Sequence, residues 1–178
     1  MQSPKTPWLV NSLPEEFGTY ALHLRLSEGK IIRIGRLGQF SFPGGDYIYM
    51  GRAFGPGGIR ARLGRHLRGN GKLHWHIDYL RSAAQIGGFW YSLDVHNLEC
   101  QMSQDLALLP EAFIPAPGFG ASDCRSRCKA HLIAFPTRIQ KVVFEEIFHG
   151  WVSGKIEILE TGDLGDADKA TNTILENG

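Results

Sequence analysis

DYIYMGR at residues 46–52 is followed, after the gap AFGPGG at 53–58, by IRARLGRHL at 59–67. The first run is rich in aromatic and β-branched residues and predicts a strand. The glycine- and proline-rich gap cannot continue a regular element. The second run has the period of a helix. This order of strand, turn and helix decides the fold, and the other segments are placed around it.

The predicted helix has an apolar face and a basic remainder. Ile59, Leu63 and Leu67 share one face at about 100° per residue. Arg62 and His66 then lie one above the other at the edge of that face, where the helix meets the sheet on which it packs. We therefore expect these two side chains to extend along the sheet surface, while the remaining arginines of the helix point toward solvent.

Residues 20–26 alternate apolar with polar side chains, which is the period of a half-buried strand. Residues 27–30 predict a turn, and residues 31–34 begin a second strand, so we expect these two strands to form a hairpin. Together with the strand at 46–51 they predict a three-stranded antiparallel meander.

The rest of the chain predicts further elements and three regions. The elements are a short helix near 73–80, a strand at 86–93, a helix at 96–107 with Asn97 as its N-cap, a turn at 117–120, a strand at 131–135 and a helix at 139–148. We expect a loosely attached lead-in at 1–16, one main domain at 17–136, and an acidic C-terminal extension at 137–178 that is partly disordered from about residue 161.

Composition narrows the class of protein. The chain has 178 residues, of which 43% are hydrophobic and 21% charged, as in an ordinary globular domain. No apolar stretch approaches the roughly 20 residues of a membrane helix, and residues 1–14 lack the layout of a signal peptide. Three cysteines cannot all pair with one another, which favours a reducing compartment. We therefore expect a cytoplasmic protein with no membrane partner.

Charge is distributed unevenly along the chain. Between residues 52 and 81 seven Lys or Arg residues accompany a single acid, Asp78, whereas residues 139–178 are acidic. Such clustering is typical of a protein that binds a polyanion, although a solvated helical face would give the same pattern. The candidate nucleic-acid-binding residues are Arg52, Arg60, Arg65, Arg68, Lys72, His74 and His76. For the two histidines an ordinary hydrogen-bonded role is the favoured interpretation, with phosphate contact second.

Several of these segments resemble a known family. Gly18-Thr19-Tyr20, Tyr49-Met50-Gly51, Arg62, His66 and Glu99 resemble the core of the GIY-YIG nucleases. More narrowly, YIYMGRAFGPGG at 47–58, HWHIDYL at 74–80 and GFGASDC at 118–124 resemble a prokaryotic branch of that superfamily that also occurs fused to endonuclease III-type repair glycosylases. The resemblance covers roughly residues 17–136.

The resemblance implies a fold and a chemistry. The fold is an α/β sandwich with a central three-stranded antiparallel sheet, plus inserted strands, flanked by helices. The chemistry is phosphodiester cleavage with one Mg²⁺ or Mn²⁺ ion. By this resemblance Tyr20 and Tyr49 handle the attacking water, Arg62 stabilises charge on the phosphoryl oxygens, Glu99 holds the metal, and His66 follows one helical turn after the arginine. In-line attack on phosphate needs these functions.

Two functions remain open at this stage. One is a metal-dependent DNA endonuclease in repair or defence. The other is a nucleic-acid-binding module that has lost turnover and supports a partner such as a repair glycosylase. Twenty-eight residues separate Tyr20 from Tyr49, more than in standard members, so an inserted strand or loop could occupy or enlarge the cleft.

The cysteines offer a second metal site. Cys124, Cys128 and His131 follow one another closely, and with Cys100 they could assemble a zinc site of three cysteines and one histidine. Their spacing is irregular for a zinc knuckle, and there is no second close pair. The sequence therefore favours free, buried cysteines over bound zinc.

Overall fold

The computed structural model describes residues 6–69, 72–93, 96–139, 146, 148 and 155–157. Within them four helices and seven strands have defined bounds. In chain order these are α1 (Thr6–Ser12), β1 (Thr19–Leu26), β2 (Lys30–Ile34), β3 (Gly38–Phe42), β4 (Gly45–Arg52), α2 (Gly58–Arg68), α3 (His76–Arg81), β5 (Gln85–Ser92), α4 (Glu99–Ala107), β6 (Leu132–Phe135) and β7 (Lys155–Glu157).

The strands form one main sheet with the order β6-β4-β1-β5-β7, in which all neighbours are antiparallel. β1 lies at its centre, paired with β4 on one side and β5 on the other. The expected α/β class with a central three-stranded antiparallel sheet is confirmed. The predicted strand at 131–135 and the short helix near 73–80 correspond to β6 and α3.

The expected hairpin between residues 20–26 and 31–34 is wrong. β1 pairs along its whole length with β4, from Thr19 opposite Arg52 to Leu26 opposite Gly45. β2 instead pairs with β3, a strand that the sequence pattern did not predict, in a separate two-stranded sheet. A two-residue alternation identifies the buried face of a strand but not its partner. The insertion between the two tyrosines is therefore a hairpin of its own.

The main sheet separates two apolar layers because successive strand residues point to opposite faces. On one face Leu22 and Leu24 of β1 pack with Ile59 and Leu63 of α2, and the β2–β3 hairpin joins the same cluster. On the other face the cluster includes Ala21 of β1, Met50 of β4, Trp90 of β5, and Met102 and Leu106 of α4. Helices thus cover both faces.

The lead-in is attached more firmly than its prolines suggest. Leu9, Val10 and Leu13 are buried in the cluster that contains α2. Gly64 permits this approach, because a Cβ atom there would lie 2.8 Å from Cγ1 of Val10. The Arg60 side chain donates from Nε to the Leu13 carbonyl at 2.7 Å. Leu9 and Val10 of α1, and Leu13 just after it, therefore belong to the core, whereas Trp8 is exposed.

Two expectations fall largely outside the described residues. The acidic segment from residue 161 onward lies beyond them, and of the helix predicted at 139–148 the structure describes helical positions at Glu146 and Phe148. Phe148 is buried and stacks on Trp90 with ring centroids 5.1 Å apart. None of the helices in the described part of the chain combines the length and apolar composition that a membrane crossing requires.

Candidate active site

A cleft of about 320 Å³ opens where β1 begins and β4 ends. It brings together residues that are distant in sequence. Its lining consists of Tyr20, Tyr49, Arg52, Arg62, His66, His74, Trp75, His76, Glu99, Gly120, Ser122 and Asp123. The five residues to which the family resemblance assigned catalytic or metal-binding roles, Tyr20, Tyr49, Arg62, His66 and Glu99, are among them. None of the residues of the β2–β3 insertion lines it, so the insertion does not occupy the cleft.

The two tyrosines are brought together by the pairing of β1 with β4. Tyr20 is opposite Gly51, and Tyr49 is opposite Leu22, so both rings stand on the face covered by α2. Their ring centroids are 6.5 Å apart. Gly51 makes room for the first ring, because a Cβ atom there would lie 2.3 Å from Cζ of Tyr20. The glycine after Tyr49 and Met50 is therefore needed for the position of Tyr20.

Tyr20 is hydrogen bonded to the histidine of α2. Its hydroxyl lies 2.9 Å from Nε2 of His66, and both side chains are buried. Burial raises the pKa of Tyr20 well above its ordinary value and also raises the pKa of Tyr49. Both phenols are therefore protonated at neutral pH and can donate a hydrogen bond.

His66 is neutral at physiological pH. Burial lowers its pKa to about 4, and the arginines 62, 65 and 81 act in the same direction against the opposing effect of Asp78. Nδ1 of the ring lies 3.9 Å from Oδ1 of Asp78. A proton on Nδ1 would face that acceptor and leave Nε2 free to accept the hydroxyl proton of Tyr20. In this arrangement His66 can act as the hydrogen-bond acceptor and base for the hydroxyl of Tyr20.

The low pKa of His66 predicts a loss of stability in acid. The folded-state pKa of about 4 lies below the ordinary value of 6.5, so the unfolded chain binds a proton first as the pH falls. We expect the contribution of His66 to leave the free energy of unfolding unchanged above about pH 6.5. Between pH 6.5 and pH 4 this free energy should decrease by about 3 kcal/mol. Chemical denaturation at several pH values measures this decrease.

The His66→Gln variant serves as the comparison, because it cannot titrate in this range. Its stability should fall less between pH 6.5 and 4 than that of the parent. Burial also lowers the pKa of His76 and acts in the same direction, whereas Asp46, with a pKa of about 2, contributes a loss only in stronger acid. An NMR titration of the parent in which His66 takes up a proton near pH 6.5 would contradict the expectation.

Arg62 lies at the edge of the apolar face of α2, as the helical period predicts, and lines the cleft. Its guanidinium carbon lies over the ring of Trp75, 4.5 Å from the centroid. Contact with an aromatic ring holds a guanidinium in place without neutralising its charge. Trp75 was not singled out from the sequence, although it belongs to the HWHIDYL segment.

Arg65 does not point toward solvent, and this expectation is wrong. Its guanidinium forms a bidentate pair with Asp78 at 2.7 and 3.0 Å, and it also lies 4.2 Å from the centroid of Trp75. The same carboxylate accepts the backbone N–H groups of His74 and Trp75, each at 2.9 Å. Arg65 and Asp78 therefore hold the turn that carries Trp75, and through Trp75 they support Arg62.

The other basic candidates are divided between cleft and surface. Arg52 and His74 are exposed and line the cleft, and Nδ1 of His76 accepts the N–H of Gly120 at 3.0 Å. Arg60 pairs with Glu15 at 2.6 Å. Lys72 and Arg68 are exposed outside the cleft lining. The structure therefore concentrates fewer cations at one place than the sequence pattern predicts.

Glu99 is the first residue of α4, three residues later than the predicted helix start. The side chain of Asn97 accepts the N–H of Glu99 at 3.0 Å, and Thr19 Oγ1 accepts the N–H of Leu98 at 3.1 Å. The second bond ties the start of α4 to the start of β1. The body of α4 packs on the opposite face of the sheet, but Glu99 reaches the cleft at the end of the strands.

Two cationic groups flank the Glu99 carboxylate. Oε1 lies 3.3 Å from Nδ1 of His131, and Oε2 lies 3.8 Å from Nε of Arg52. Arg52 also bonds to Asp123 at 3.2 Å. Asp123 is a second carboxylate in the cleft that the sequence reasoning missed, although it lies in the GFGASDC segment on which the family resemblance rests.

Beside the cleft, the side chains of Cys100, Cys124, Cys128 and His131 form a cluster that could bind a metal ion. Their potential ligand atoms all lie within 4.8 Å of one another. We call these four residues the Cys/His cluster. All three cysteines are free thiols of intermediate exposure, not fully buried as the sequence favoured.

Cys100, Cys124 and His131 have perturbed pKa values. Burial raises the pKa of Cys100 to about 12. For Cys124 burial is outweighed by a hydrogen bond from the Cys128 backbone and by neighbouring side chains, which lower its pKa to about 6. For His131 burial is outweighed by Glu99, which raises its pKa to about 9.

The fold and the cleft define a small α/β domain with a tyrosine, arginine and glutamate constellation. The family described as Domain of unknown function DUF123 matches residues 19–151, and the chain belongs to this family. The matched segment starts at β1 and contains every residue that lines the cleft. No curated protein and no solved structure matches the chain significantly.

Proposed function

We propose that the protein is a metal-dependent DNA endonuclease of the GIY-YIG type that hydrolyses phosphodiesters in DNA repair or defence. The observation that carries the proposal is the convergence of Tyr20, Tyr49, Arg62 and Glu99 on one cleft, although 78 residues of chain separate the first from the last. These residues come from two strands and two helices. Their proximity in the cleft therefore results from the fold and not from closeness in sequence or from a shared helix or strand.

Each side chain fits a part in phosphoryl transfer. Arg62, held by Trp75, is positioned to stabilise the charge that develops on the phosphoryl oxygens. Tyr20 can accept a proton from the attacking water while passing its own hydroxyl proton toward Nε2 of the neutral His66. Tyr49 remains protonated and can orient the same water by a hydrogen bond.

The cleft also fits a hard divalent cation. Mg²⁺ and Mn²⁺ prefer oxygen ligands, and the carboxylates of Glu99 and Asp123 both line the cleft. Glu99 is 7% exposed, so its charge is shielded from bulk water. A bound Mg²⁺ ion supplies positive charge for the phosphate oxygens and the leaving group. DNA itself would be held by phosphate contacts from the exposed Arg52 and His74.

One observation favours the second candidate, a DNA-binding module without turnover. The side chain of Arg52 lies between the two carboxylates, 3.8 Å from Glu99 and 3.2 Å from Asp123. A guanidinium at that place competes with a divalent cation. Such a module would support a partner enzyme such as a repair glycosylase. The nuclease proposal therefore requires Arg52 to move, which its half-exposed side chain allows.

A cleavage assay tests the proposal. Duplex, nicked, flap and branched DNA are incubated with the protein in Mg²⁺ or Mn²⁺, and parallel reactions contain a chelator. We expect at least one substrate to be cut, and the chelator to stop the cutting. DNA that is bound but remains intact with every substrate and both metals would contradict the nuclease and favour the binding module.

We also propose that Zn²⁺ is the ion of the Cys/His cluster. Three thiolates and one imidazole are soft and borderline ligands, and this donor set is typical of structural zinc sites. It is unsuited to Mg²⁺ and Ca²⁺, which take oxygen ligands. The two proposed sites therefore select different metals, because the cleft offers oxygen ligands and the Cys/His cluster beside it offers sulfur ligands and one imidazole.

A further inference from the structure

The Cys/His cluster has dimensions close to those of a tetrahedral site. Sγ of Cys100 lies 3.4 Å from Sγ of Cys124 and 3.9 Å from Nε2 of His131. Zn–S bonds of about 2.3 Å place neighbouring ligands of a tetrahedron roughly 3.8 Å apart. Small side-chain rotations are therefore enough to close the four ligands on one ion.

His131 belongs to the cluster and also contacts Glu99, which lines the cleft. Its Nε2 faces Cys100, while its Nδ1 lies 3.3 Å from Oε1 of Glu99. The side chain is buried, so water does not reach either contact easily. A zinc-bound histidine commonly donates its other ring N–H to a carboxylate, which fixes the orientation of both groups. Glu99 stands where that carboxylate is expected.

The segment 117–131, which carries three of the four ligands, has no helix or strand. Backbone bonds at its base hold it closed, from Gly118 N to the Lys129 carbonyl at 2.7 Å and from His131 N to the Phe119 carbonyl at 2.8 Å. Ser122 and Asp123 line the cleft immediately before Cys124. An ion that binds across this segment would fix that wall of the cleft.

We propose that zinc in the Cys/His cluster is a structural ion that organises the nuclease cleft. It orders the segment 117–131, and through His131 it holds the Glu99 carboxylate in place for the catalytic metal. The role of Glu99 in this inference rests on the proposed nuclease function. The zinc site and its link to Glu99 can be measured without any cleavage.

The first test is metal content. We expect the purified full-length protein to contain one zinc per chain, and cobalt exchanged into it to give thiolate-to-cobalt charge-transfer absorption. Cys124→Ser should lose both the zinc and the absorption, while His74→Ala, which changes a histidine outside the cluster, should keep them. A parent protein without zinc, or with a Cys100–Cys124 disulfide in its place, would overturn the inference.

The second test is the link between the two sites. Outer carboxylates of this kind typically contribute 10–100-fold to metal affinity. We expect Glu99→Gln to weaken zinc binding about 10-fold or more in competition with a chelator, and Asp105→Asn on the same helix to leave it unchanged. Equal zinc affinities for Glu99→Gln and the parent would overturn the positioning role.

A third variant separates this inference from the proposed function. His131→Cys keeps four zinc ligands but removes the imidazole that faces Glu99. We expect it to retain zinc and to need a higher Mg²⁺ concentration for cutting than the parent. If the zinc and chelator results are as expected while no protein cuts DNA, the structural zinc stands and the nuclease fails. Cutting by His131→Cys at the parent's Mg²⁺ requirement would contradict the positioning of Glu99.

Discussion

Arg62→Ala is expected to reduce the cleavage rate about 10²–10³-fold while the protein stays folded. The guanidinium lines the cleft and contacts Trp75, and it is not part of the apolar face of α2. Removal of one preorganised donor of positive charge from a transition state commonly has an effect of this size. Single-turnover cleavage at saturating Mg²⁺ measures the rate, and circular dichroism checks the fold.

Two further variants show whether the guanidinium itself is needed. Arg33→Ala removes the same charge from an exposed position on β2, outside the cleft, and should cut at the parent's rate. Arg62→Lys keeps the charge but not the planar group, and should remain well below the parent because an ammonium cannot bind two phosphoryl oxygens in the same way. A parental rate for Arg62→Ala would exclude the proposed role.

Glu99→Gln is expected to abolish metal-dependent cutting and to keep DNA affinity, or even to raise it. The substitution preserves the shape of the side chain and removes a carboxylate charge from the cleft in which we propose that the phosphate binds. Loss of a like charge near a polyanion strengthens binding. DNA affinity is measured without divalent metal by fluorescence anisotropy at a fixed salt concentration, since phosphate contacts make it depend on salt.

Asp105→Asn removes an acid from the same helix outside the cleft lining and should behave as the parent in both assays. Because Glu99 also faces His131, the cleavage assay is repeated with the zinc site saturated. A Glu99→Gln protein that cuts with Mg²⁺ at a rate near the parent's would leave the proposed metal site without its ligand.

The sequence predicted the elements that local patterns specify. The apolar period of α2 predicted that Arg62 and His66 lie at the edge of its apolar face, and the family resemblance named Glu99. All three residues line the cleft. Both depend on short-range information, namely helical geometry and motif residues. The main strands were recognised for the same reason, because alternation within one strand is visible without its partner.

What the sequence did not predict depends on partners from other elements. The helical period separates Arg62 from Arg65, but it does not show that Arg65 pairs with Asp78 of α3 instead of pointing toward solvent. The sequence named the four residues of the Cys/His cluster as a possible zinc site but favoured free cysteines, because Cys100 of α4 is distant in sequence from the other ligands and the spacing matches no short motif. β2 pairs with β3 and not with β1, and the residue alternation within each strand does not specify which strand it pairs with.

The β2–β3 hairpin leaves the main sheet where Leu26 is opposite Gly45, at the end of β1 and β4 away from Tyr20. Along β1, Leu26 lies six residues after Tyr20, a distance of about 20 Å. Ile34 and Phe42 are buried in the core, so we expect sequence change in the hairpin to be tolerated at its exposed positions, such as Ile31 and Arg33, while the two tyrosines keep their register. The exposed turn at residues 27–29, at the end of β1 away from Tyr20, offers a place for a fluorescent label or an affinity handle.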